Sequence, residues 1–401
     1  MKGVRGYYVF LSILFLTEGL AKEGPSVRAS SVTTPSLIRS HGYPVEEYKV
    51  QTSDGYILTM HRIPHSSKIG KMESQAPIAF LMHGLLCSSS DWVLNGPGSG
   101  LAYILSDAGY DVWMGNARGN TYSRKHAQKS TLLQPFWNFE WHDIALYDLP
   151  AMIDYILYWT GQKDLRYFGH SQGTTTFFVL NSMVPRFNSR IKSAHLFAPV
   201  AYMNNMASPL AKIGGPLLGQ PNAFNELFGS MEFLPNTKAM ELMGSLACSD
   251  ASITQSLCTN SLFLMAGWDS PYLNETMIPL IMATTPAGCS INQMQHYLQE
   301  YNSGYFRQYD YGYFRNKKEY GSRSPLEYYV KNIRVPMYLY YSDNDYMAHI
   351  IDVHRLIQNL NPSALKRAHM MPTKWNHLDF LWGKNVKELL YDIVIEDIKA
   401  S

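Results

Sequence analysis

A serine between two glycines is the first feature of this chain that could do chemistry. Ser171 is the centre of Gly169-His170-Ser171-Gln172-Gly173, with a strand-like apolar run before it and a helix-like run after it. Glycines at both ends of such a turn let strand and helix approach closely and leave the hydroxyl accessible. Because the pattern alone often arises by chance, the strand-turn-helix context carries the interpretation. It predicts a nucleophilic serine.

A serine hydroxyl is a weak nucleophile until a base removes its proton and a third group orients that base. In this arrangement the acid follows the serine along the chain, and the histidine follows the acid. Asp345 ends the polar segment Ser342-Asp343-Asn344-Asp345 after an apolar run, and His377 precedes a helix-like tail. We expect His377 to be the base and Asp345 its orienting acid, with Asp343 as the alternative acid. His170 is expected to point away from the hydroxyl and to serve packing.

Acyl transfer also needs hydrogen-bond donors for the oxyanion that forms on the substrate. Backbone N–H groups supply them in this arrangement, at about 3 kcal/mol of barrier each. We expect one donor from Gln172, the residue after the nucleophile, and one from Leu85 in His83-Gly84-Leu85-Leu86. An ordinary turn at the end of a strand is the alternative interpretation of His83-Gly84.

Strands and helices alternate along the chain, which predicts an α/β fold with a mostly parallel central sheet covered on both faces. Residues 48–52 and 56–58 alternate in polarity around a turn and predict a hairpin. The predicted buried strands are Pro77–Met82, Asp111–Met114, Leu165–Phe168, Ala194–Pro199 and Pro336–Tyr341, and the predicted helices are 101–108 and 144–159. The polar stretch Ser30–Ser36 is expected to be disordered or to run along the surface.

Well over one hundred residues separate the strand that ends near Ala198 from the one that begins near Val335. A simple crossover between parallel strands is much shorter, so an insertion is predicted. We place it at residues 202–328, as a cap over the carboxyl edge of a core formed by residues 22–201 and 329–401. An independent second domain, unrelated to the site, is the alternative.

The first 21 residues predict a secretory signal. Two basic residues precede the apolar stretch Tyr7–Leu16, and small residues end at Ala21. A membrane anchor is the alternative, but the stretch is shorter than the roughly 20 residues that a spanning helix needs. The formal net charge of +2, with no basic run, gives no indication of a nucleic-acid partner.

Export predicts an oxidising compartment and therefore disulfides among the four cysteines. Cys248 and Cys258 are close enough in sequence to close a small loop, and we expect a bridge there. Cys87 and Cys289 are either free and buried or paired with each other. Asn274-Glu275-Thr276 is an acceptor sequence for N-glycosylation.

Five motifs together resemble the acid lipase family that includes gastric lipase and lysosomal acid lipase, over residues from about Tyr43 to Val394. The motifs are His83–Leu86, Gly115–Thr121, Tyr147–Ala151, Gly169–Thr174 and Asn376–Phe380. The resemblance implies an α/β-hydrolase core with a helical cap and a movable lid, which hydrolyses ester bonds of neutral lipids without a cofactor or metal. It implies Ser171 as nucleophile, Asp345 as acid, His377 as base, Leu85 and Gln172 as oxyanion donors, and a Cys248–Cys258 disulfide in the cap.

The chain departs from the family pattern at three places. Cys87 follows His-Gly-Leu-Leu where the family usually has a small residue, and Cys289 replaces the usual threonine in Pro-Ala-Gly-Thr-Ser. The acid segment Ser342–Asp345 replaces Gly-Gly-x-Asp. None of these changes removes a catalytic group.

The prediction is therefore a secreted or lumenal serine lipase that acts on acylglycerols or sterol esters at a lipid interface through an acyl-enzyme. The methionine-rich insertion fits a cap that holds an acyl chain, although plain core packing is the alternative interpretation. Two other functions remain: an esterase or acyltransferase for small soluble esters, and a non-catalytic lipid-binding protein on the same fold. The intact Ser171, Asp345 and His377 argue against the second of these. The sequence gives neither the preferred lipid, the working pH nor the oligomeric state.

Overall fold

The structure is a computed structural model that describes residues 32–70, 75–236 and 266–401. The predicted leader and the Cys248–Cys258 pair lie outside these residues. Within the described part of the chain, no helix is both long enough and apolar enough to cross a membrane.

One large sheet organises the described residues. Its strands are β1 (Glu46–Gln51), β2 (Tyr56–Ile63), β3 (Ile78–Met82), β4 (Asp111–Met114), β5 (Lys125–His126), β6 (Leu165–His170), β7 (Ile191–Phe197), β10 (Met337–Tyr341) and β11 (Leu365–Met370), while β8 (Glu232–Phe233) and β9 (Cys289–Ser290) form a separate antiparallel pair. The strand order is β1-β2-β4-β3-β6-β7-β10-β11, with β5 beside β2. β2 runs antiparallel to β1, β4 and β5, and the other neighbours are parallel. The predicted hairpin and mostly parallel sheet are confirmed.

Burial explains which strands could be read from the sequence. Every residue of β3, β4, β6 and β10 is buried, because layers cover both faces of the sheet, and apolar residues dominate β3, β4 and β10. The edge strand β11 is mostly exposed and has the polar sequence Leu-Lys-Arg-Ala-His-Met. It carries no apolar run, so it could not be predicted from the sequence.

The helices cover the sheet and recur through the described segment between β7 and β10. They are α1 (Thr34–Ser40), α2 (Leu101–Asp107), α3 (Gln134–Trp137), α4 (Trp141–Asp143), α5 (Leu149–Thr160), α6 (Gln172–Met183), α7 (Pro209–Leu218), α8 (Ala223–Phe228), α9 (Ile278–Thr284), α10 (Ile291–Ser303), α11 (Tyr313–Tyr320), α12 (Ile350–Asn359), α13 (Asp379–Trp382) and α14 (Asp392–Lys399). A π-helical turn, Ile144–Asp148, precedes α5. Pro150 explains the interruption of the predicted helix 144–159, because its nitrogen cannot donate to the preceding turn.

The expectation of disorder or a surface path for Ser30–Ser36 is wrong for its last residues. Thr33 caps α1 in a reciprocal capping box with Ser36. Thr34 is fully buried, and its Oγ1 lies 2.9 Å from Ser89 Oγ in the core. The stretch is polar because Thr-x-x-Ser places a capping hydroxyl at each end of the first helical turn. A polar composition therefore concealed the start of a helix.

The described residues between β7 and β10 contribute α7 to α11 and the small β8–β9 pair, but no strand of the large sheet. α10 packs against α7 and α8, and a small apolar cluster of Phe224, Ile291 and Leu298 lies between α8 and α10. The boundaries 202 and 328 of the cap stay a prediction.

Candidate active site

Ser171 occupies a strained turn between β6 and α6. Its φ of 52° and ψ of −116° are rare for a residue with a side chain. A Cβ on Gly169 would lie 2.9 Å from the carbonyl of Gly173, and a Cβ on Gly173 would overlap the carbonyl oxygen of Met82. Only glycine therefore permits α6 to cross the end of β3 this closely, which explains both glycines of the motif.

His377 lies in direct contact with Ser171. Its Nε2 is 2.8 Å from Ser171 Oγ, and its Nδ1 is 2.9 and 2.8 Å from the two carboxylate oxygens of Asp345. Since a carboxylate only accepts hydrogen bonds, Nδ1 carries the proton and Nε2 accepts from the serine hydroxyl. The structure thus brings together the three side chains that the sequence singled out. All three are buried, so their interactions act outside bulk water.

The loop after β10 directs Asp345, and not Asp343, towards the histidine. Asp345 Oδ1 accepts 2.8 Å hydrogen bonds from the N–H groups of Met347 and Ala348. Asp343 is exposed, and its Oδ1 lies 3.2 Å from the backbone nitrogen of Lys374. Of the two carboxylates considered from the sequence, only Asp345 contacts His377.

The loop that carries His377 is held by a buried carboxyl, Asp379. Asp379 Oδ2 accepts hydrogen bonds from Asn376 N–H at 2.7 Å and from Ser270 Oγ at 2.5 Å. Burial raises the pKa of Asp379 to about 7, against the opposing effect of these two donors. Asp379 lies within the motif Asn376–Phe380, but no role for it was predicted from the sequence.

A strap formed by residues Ala266–Ser270 joins the loops of the acid and the base. The carbonyl oxygen of Ala266 accepts from His377 N–H at 3.1 Å and from Tyr346 N–H at 3.2 Å. Asn344 Nδ2 also donates to the carbonyl of Trp268 at 3.0 Å. Nothing in the sequence indicated this strap, because its contacts use backbone groups of residues far away in the chain.

His170, which adjoins the nucleophile, supports the loop of His377 instead of acting on the hydroxyl. Its Nε2 lies 2.9 Å from the carbonyl oxygen of His377 and is therefore protonated. The pKa of His170 lies well below its ordinary value. Burial is the main cause, and the charge of the nearby His377 is the second. A neutral His170 donates this hydrogen bond.

The peptide after Ser171 is oriented by α6. The Ser171 carbonyl accepts from Thr174 N–H at 2.8 Å and from Thr174 Oγ1 at 2.6 Å. In a trans peptide the N–H points opposite to the carbonyl, so the Gln172 N–H points away from the helix. As the first residue of α6, Gln172 has no intrahelical acceptor for this N–H.

His83 orients the peptide of the other expected donor, Leu85. His83 Nδ1 donates to the Gly84 carbonyl at 2.7 Å, while its Nε2 accepts from Ala117 N–H at 3.1 Å. Burial lowers the pKa of His83 to about 4, which keeps the ring neutral with this tautomer. The Leu85 N–H therefore points away from His83. A Cβ on Gly84 would lie 3.3 Å from Ser171 Cβ, so this turn adjoins the nucleophile.

The two described cysteines, Cys87 and Cys289, are free and buried. The alternative that they pair with each other is therefore wrong. Burial raises the pKa of both thiols, which keeps them protonated. The predicted Cys248–Cys258 bridge lies outside the described residues and stays a prediction.

The expected glycosylation acceptor Asn274 is partly exposed at the start of a short helical turn, Glu275–Met277. Its Oδ1 accepts from Thr276 Oγ1 at 2.8 Å. Modification of Asn274 stays a prediction.

The fold of this chain is shared with known proteins. Residues 80–384, more than half of the chain, match the family model described as the alpha/beta hydrolase fold, and residues 34–96 match the partial alpha/beta-hydrolase lipase region. Among solved structures, a soluble variant of the monoglyceride lipase of Saccharomyces cerevisiae aligns with a TM-score of 0.53 at 16% identity, covering 90% of this chain and 95% of that one. At this identity the likeness concerns the fold alone.

Curated relatives are similar over nearly the whole length. Lipase 3 of Drosophila melanogaster is 52% identical over 364 residues, covering 90% of this chain and 92% of the relative. The human lysosomal acid lipase/cholesteryl ester hydrolase is 38% identical, covering 91% and 90%, and the gastric triacylglycerol lipase of Rattus norvegicus is 37% identical, covering 93% of each. The chain therefore belongs to the α/β-hydrolase family and, within it, to the lipases, which are carboxylic ester hydrolases.

Proposed function

We propose that this lipase hydrolyses ester bonds of neutral lipids through Ser171, His377 and Asp345. Ser171 Oγ attacks the ester carbonyl carbon while its proton moves to His377 Nε2, and Asp345 stabilises the resulting imidazolium. The proton then passes to the leaving alcohol, which departs and leaves an acyl-enzyme. Water, activated by His377, attacks the acyl-enzyme in the same way and releases the fatty acid.

The observation that carries this proposal is the 2.8 Å contact between His377 Nε2 and Ser171 Oγ. It has the geometry that a general base needs, and the strained turn presents the hydroxyl to it. We assign the oxyanion donors to the N–H groups of Gln172 and Leu85. The orientation of the two peptides supports this assignment. In each peptide a hydrogen bond to the carbonyl oxygen, from Thr174 to Ser171 and from His83 to Gly84, determines where the N–H points.

The substrate class rests on the relatives, whose names specify triacylglycerol and cholesteryl ester. We extend both names to this chain as acylglycerols or sterol esters. We also propose that the protein reaches this substrate in the secretory route, either outside the cell or in the lysosomal lumen, because the relatives include gastric and lysosomal enzymes and residues 1–21 have a signal-like sequence.

We further infer that α7 and α8 contact the lipid surface. Four apolar side chains on these neighbouring helices are exposed: Ile213 by 64%, Leu217 by 71%, Leu227 by 64% and Phe228 by 42%. A cluster of this kind favours insertion among lipids, whereas single exposed apolar residues are ordinary.

The surface contact predicts a substrate-dependent defect. Replacing Ile213 and Leu217 together by serine should reduce hydrolysis of an emulsified triglyceride severalfold and leave a soluble short-chain ester unaffected. Leu132→Ser is the control, since Leu132 is 82% exposed and belongs to neither α7 nor α8. Equal activity of the double variant and the control on the emulsion would refute the contact.

The catalytic proposal is tested with a substrate panel for wild type and Ser171→Ala, covering a soluble short-chain ester, an emulsified triglyceride and an emulsified sterol ester across pH. We expect wild type to prefer an emulsified ester and Ser171→Ala to lose at least about 10³-fold of this activity. Preference for the soluble ester would instead indicate a small-ester esterase. Negligible turnover by both proteins, with retained lipid binding, would indicate a carrier.

A further inference from the structure

The side chain of Gln172 is held by a residue from the other side of the site. Gln293, in the first turn of α10, donates from Nε2 to Gln172 Oε1 at 3.0 Å. The orientation of the Gln293 amide is determined by a second contact, because its Oε1 accepts from the backbone N–H of Ser290 at 3.0 Å. Since that N–H can only donate, the Gln293 NH2 group must face Gln172.

The segment before Gln293 is itself attached to the turn of the other proposed oxyanion donor. Ala287 N–H donates to the carbonyl of Leu86 at 2.6 Å, and the Ala287 carbonyl accepts from Thr121 N–H at 2.9 Å. Ser290 Oγ donates to the carbonyl of Phe139 at 2.5 Å. Residues 287–293 therefore span both donor turns and are anchored to the core between them.

Both glutamine side chains are buried, each with only 2% exposure. A buried amide that loses its partner is not compensated by water, so Gln172 has a strong preference for the orientation in which Gln293 binds it. The side-chain rotamer is coupled to the backbone angles of the same residue. Through that coupling, the Gln293 contact restricts the backbone of Gln172 further and supports the N–H direction that α6 and Thr174 determine.

We propose that Gln293 is a positioning residue for the oxyanion donors, which acts by holding the side chain of Gln172 in one orientation. The inference rests on the proposed function of Ser171, and the effect belongs to the step in which negative charge develops on the substrate oxygen. Loss of the contact lowers kcat, and KM changes little, because the ground-state ester carries no such charge.

Two substitutions separate positioning from packing. Gln293→Met keeps the length of the side chain but removes both hydrogen bonds. In Gln293→Glu the carboxylate still accepts from Ser290 N–H, and Gln172 regains a partner by rotating its amide so that Nε2 donates. This variant keeps the contact between the two side chains but places a negative charge next to Gln172, the residue that provides the oxyanion donor.

The matched controls are Gln299→Met and Gln299→Glu. Gln299 lies on the same helix with 4% exposure. Among the described residues its amide bonds the backbone of Asp310, at 2.9 Å and 2.7 Å, and not Gln172. Substitution there tests what the loss of a buried amide on α10 does to the cap alone.

Two quantities are measured for each variant: kcat and KM on a soluble ester, and the inhibition constant of an alkylboronic acid whose tetrahedral serine adduct occupies the oxyanion position. For Gln293→Met we expect kcat to fall about 5- to 10-fold, as for the loss of one hydrogen bond, and the boronate to bind more weakly by a similar factor. For Gln293→Glu we expect a larger loss of both above the raised pKa that burial gives the new carboxyl, and a smaller loss below it, where the neutral carboxyl donates to Gln172 Oε1.

Equal kcat in the Gln293 and Gln299 variants would overturn the inference, as would a fall in kcat without weaker boronate binding. Wild type that neither hydrolyses esters nor binds the boronate would instead overturn the proposed function.

Discussion

The carboxylate of Asp345 determines which nitrogen of His377 carries the proton. Asp345 Oδ1 is already occupied by the N–H groups of Met347 and Ala348. An asparagine at 345 would keep its oxygen on those donors and turn its NH2 group towards His377 Nδ1. The proton of the histidine would then move to Nε2, which could no longer accept from the serine.

We therefore predict that Asp345→Asn lowers kcat by about 10⁴-fold with a nearly unchanged fold, as expected when the base has the wrong tautomer. Steady-state kinetics and circular dichroism measure the two effects. Asp343→Asn is the matched control, because Asp343 is exposed and its contact among the described residues is with the backbone nitrogen of Lys374, not with His377. If Asp343→Asn were the more damaging change, the assignment of the acid would be wrong.

Among single residues, the three side chains that meet in the active site could be predicted from the sequence, but the residues that hold them in place could not. Ser171, Asp345 and His377 could be found because each has a reactive type at the end of a predicted strand or in a recognisable motif. Ser290-x-x-Gln293 is also a readable helix-start pattern. The pattern predicts where α10 begins, but it carries no information about Gln172, which lies 121 residues earlier.

At the scale of elements, the crossing of α6 over β3 depends on the absence of one side chain. We predict that Gly173→Ala destabilises the protein by about 3 kcal/mol or more, because the new Cβ would overlap backbone atoms of Met82, which cannot move aside as a flexible side chain can. Urea unfolding measures the change. In the control Gly98→Ala the new Cβ meets no heavy atom within 4 Å, and a comparable loss there would contradict the explanation.

The loop of the base depends on Asp379 as an acceptor. We predict that Asp379→Leu, which removes the acceptor of Asn376 N–H and Ser270 Oγ, lowers kcat at least about 10-fold by displacing His377. Asp379→Asn keeps one oxygen for both donors and should retain most of the activity. The variants are compared on a soluble ester at pH 5. Because the pKa of Asp379 is about 7, its carboxyl in the wild type is protonated at this pH and is uncharged like the amide of asparagine. Equal damage by both variants would show that the acceptor is not what matters.

The elements themselves were predictable where burial leaves a pattern in the sequence. β3, β4 and β10 are continuous apolar runs because both of their faces are covered. β11 and the capped start of α1 were missed because polar residues dominate both. Their positions depend on tertiary partners, such as β10 for β11 and Ser89 for Thr34.

At the scale of the whole molecule, buried ionisable groups set opposing dependences of stability on pH. Burial raises the pKa of several carboxyls: Asp91, Glu140, Glu300 and Asp379. Burial lowers the pKa of several histidines: His61, His83, His170, His195 and His296. The carboxyls favour the folded state at acid pH, whereas the histidines disfavour it there, because each group is buried in its neutral form.

Asp91 allows one of these contributions to be isolated. Burial raises the pKa of its carboxyl from 3.8 to about 7, so between these values the folded state binds a proton that the unfolded state has lost. The stability contributed by this group therefore falls as pH rises from about 4 to about 7, by up to about 4 kcal/mol. Asparagine at this position has no charge to bury at any pH.

We therefore predict that Asp91→Asn gains stability relative to wild type as pH rises from 4.5 to 7.5, with little further change above that. The free energy of unfolding in urea is measured for both proteins at several pH values. Asp392→Asn is the control, because Asp392 is exposed and should give a small difference at every pH. A constant difference between Asp91→Asn and wild type across this range would mean that Asp91 is ionised in the folded protein even at acid pH. Burial would then not be what sets its protonation.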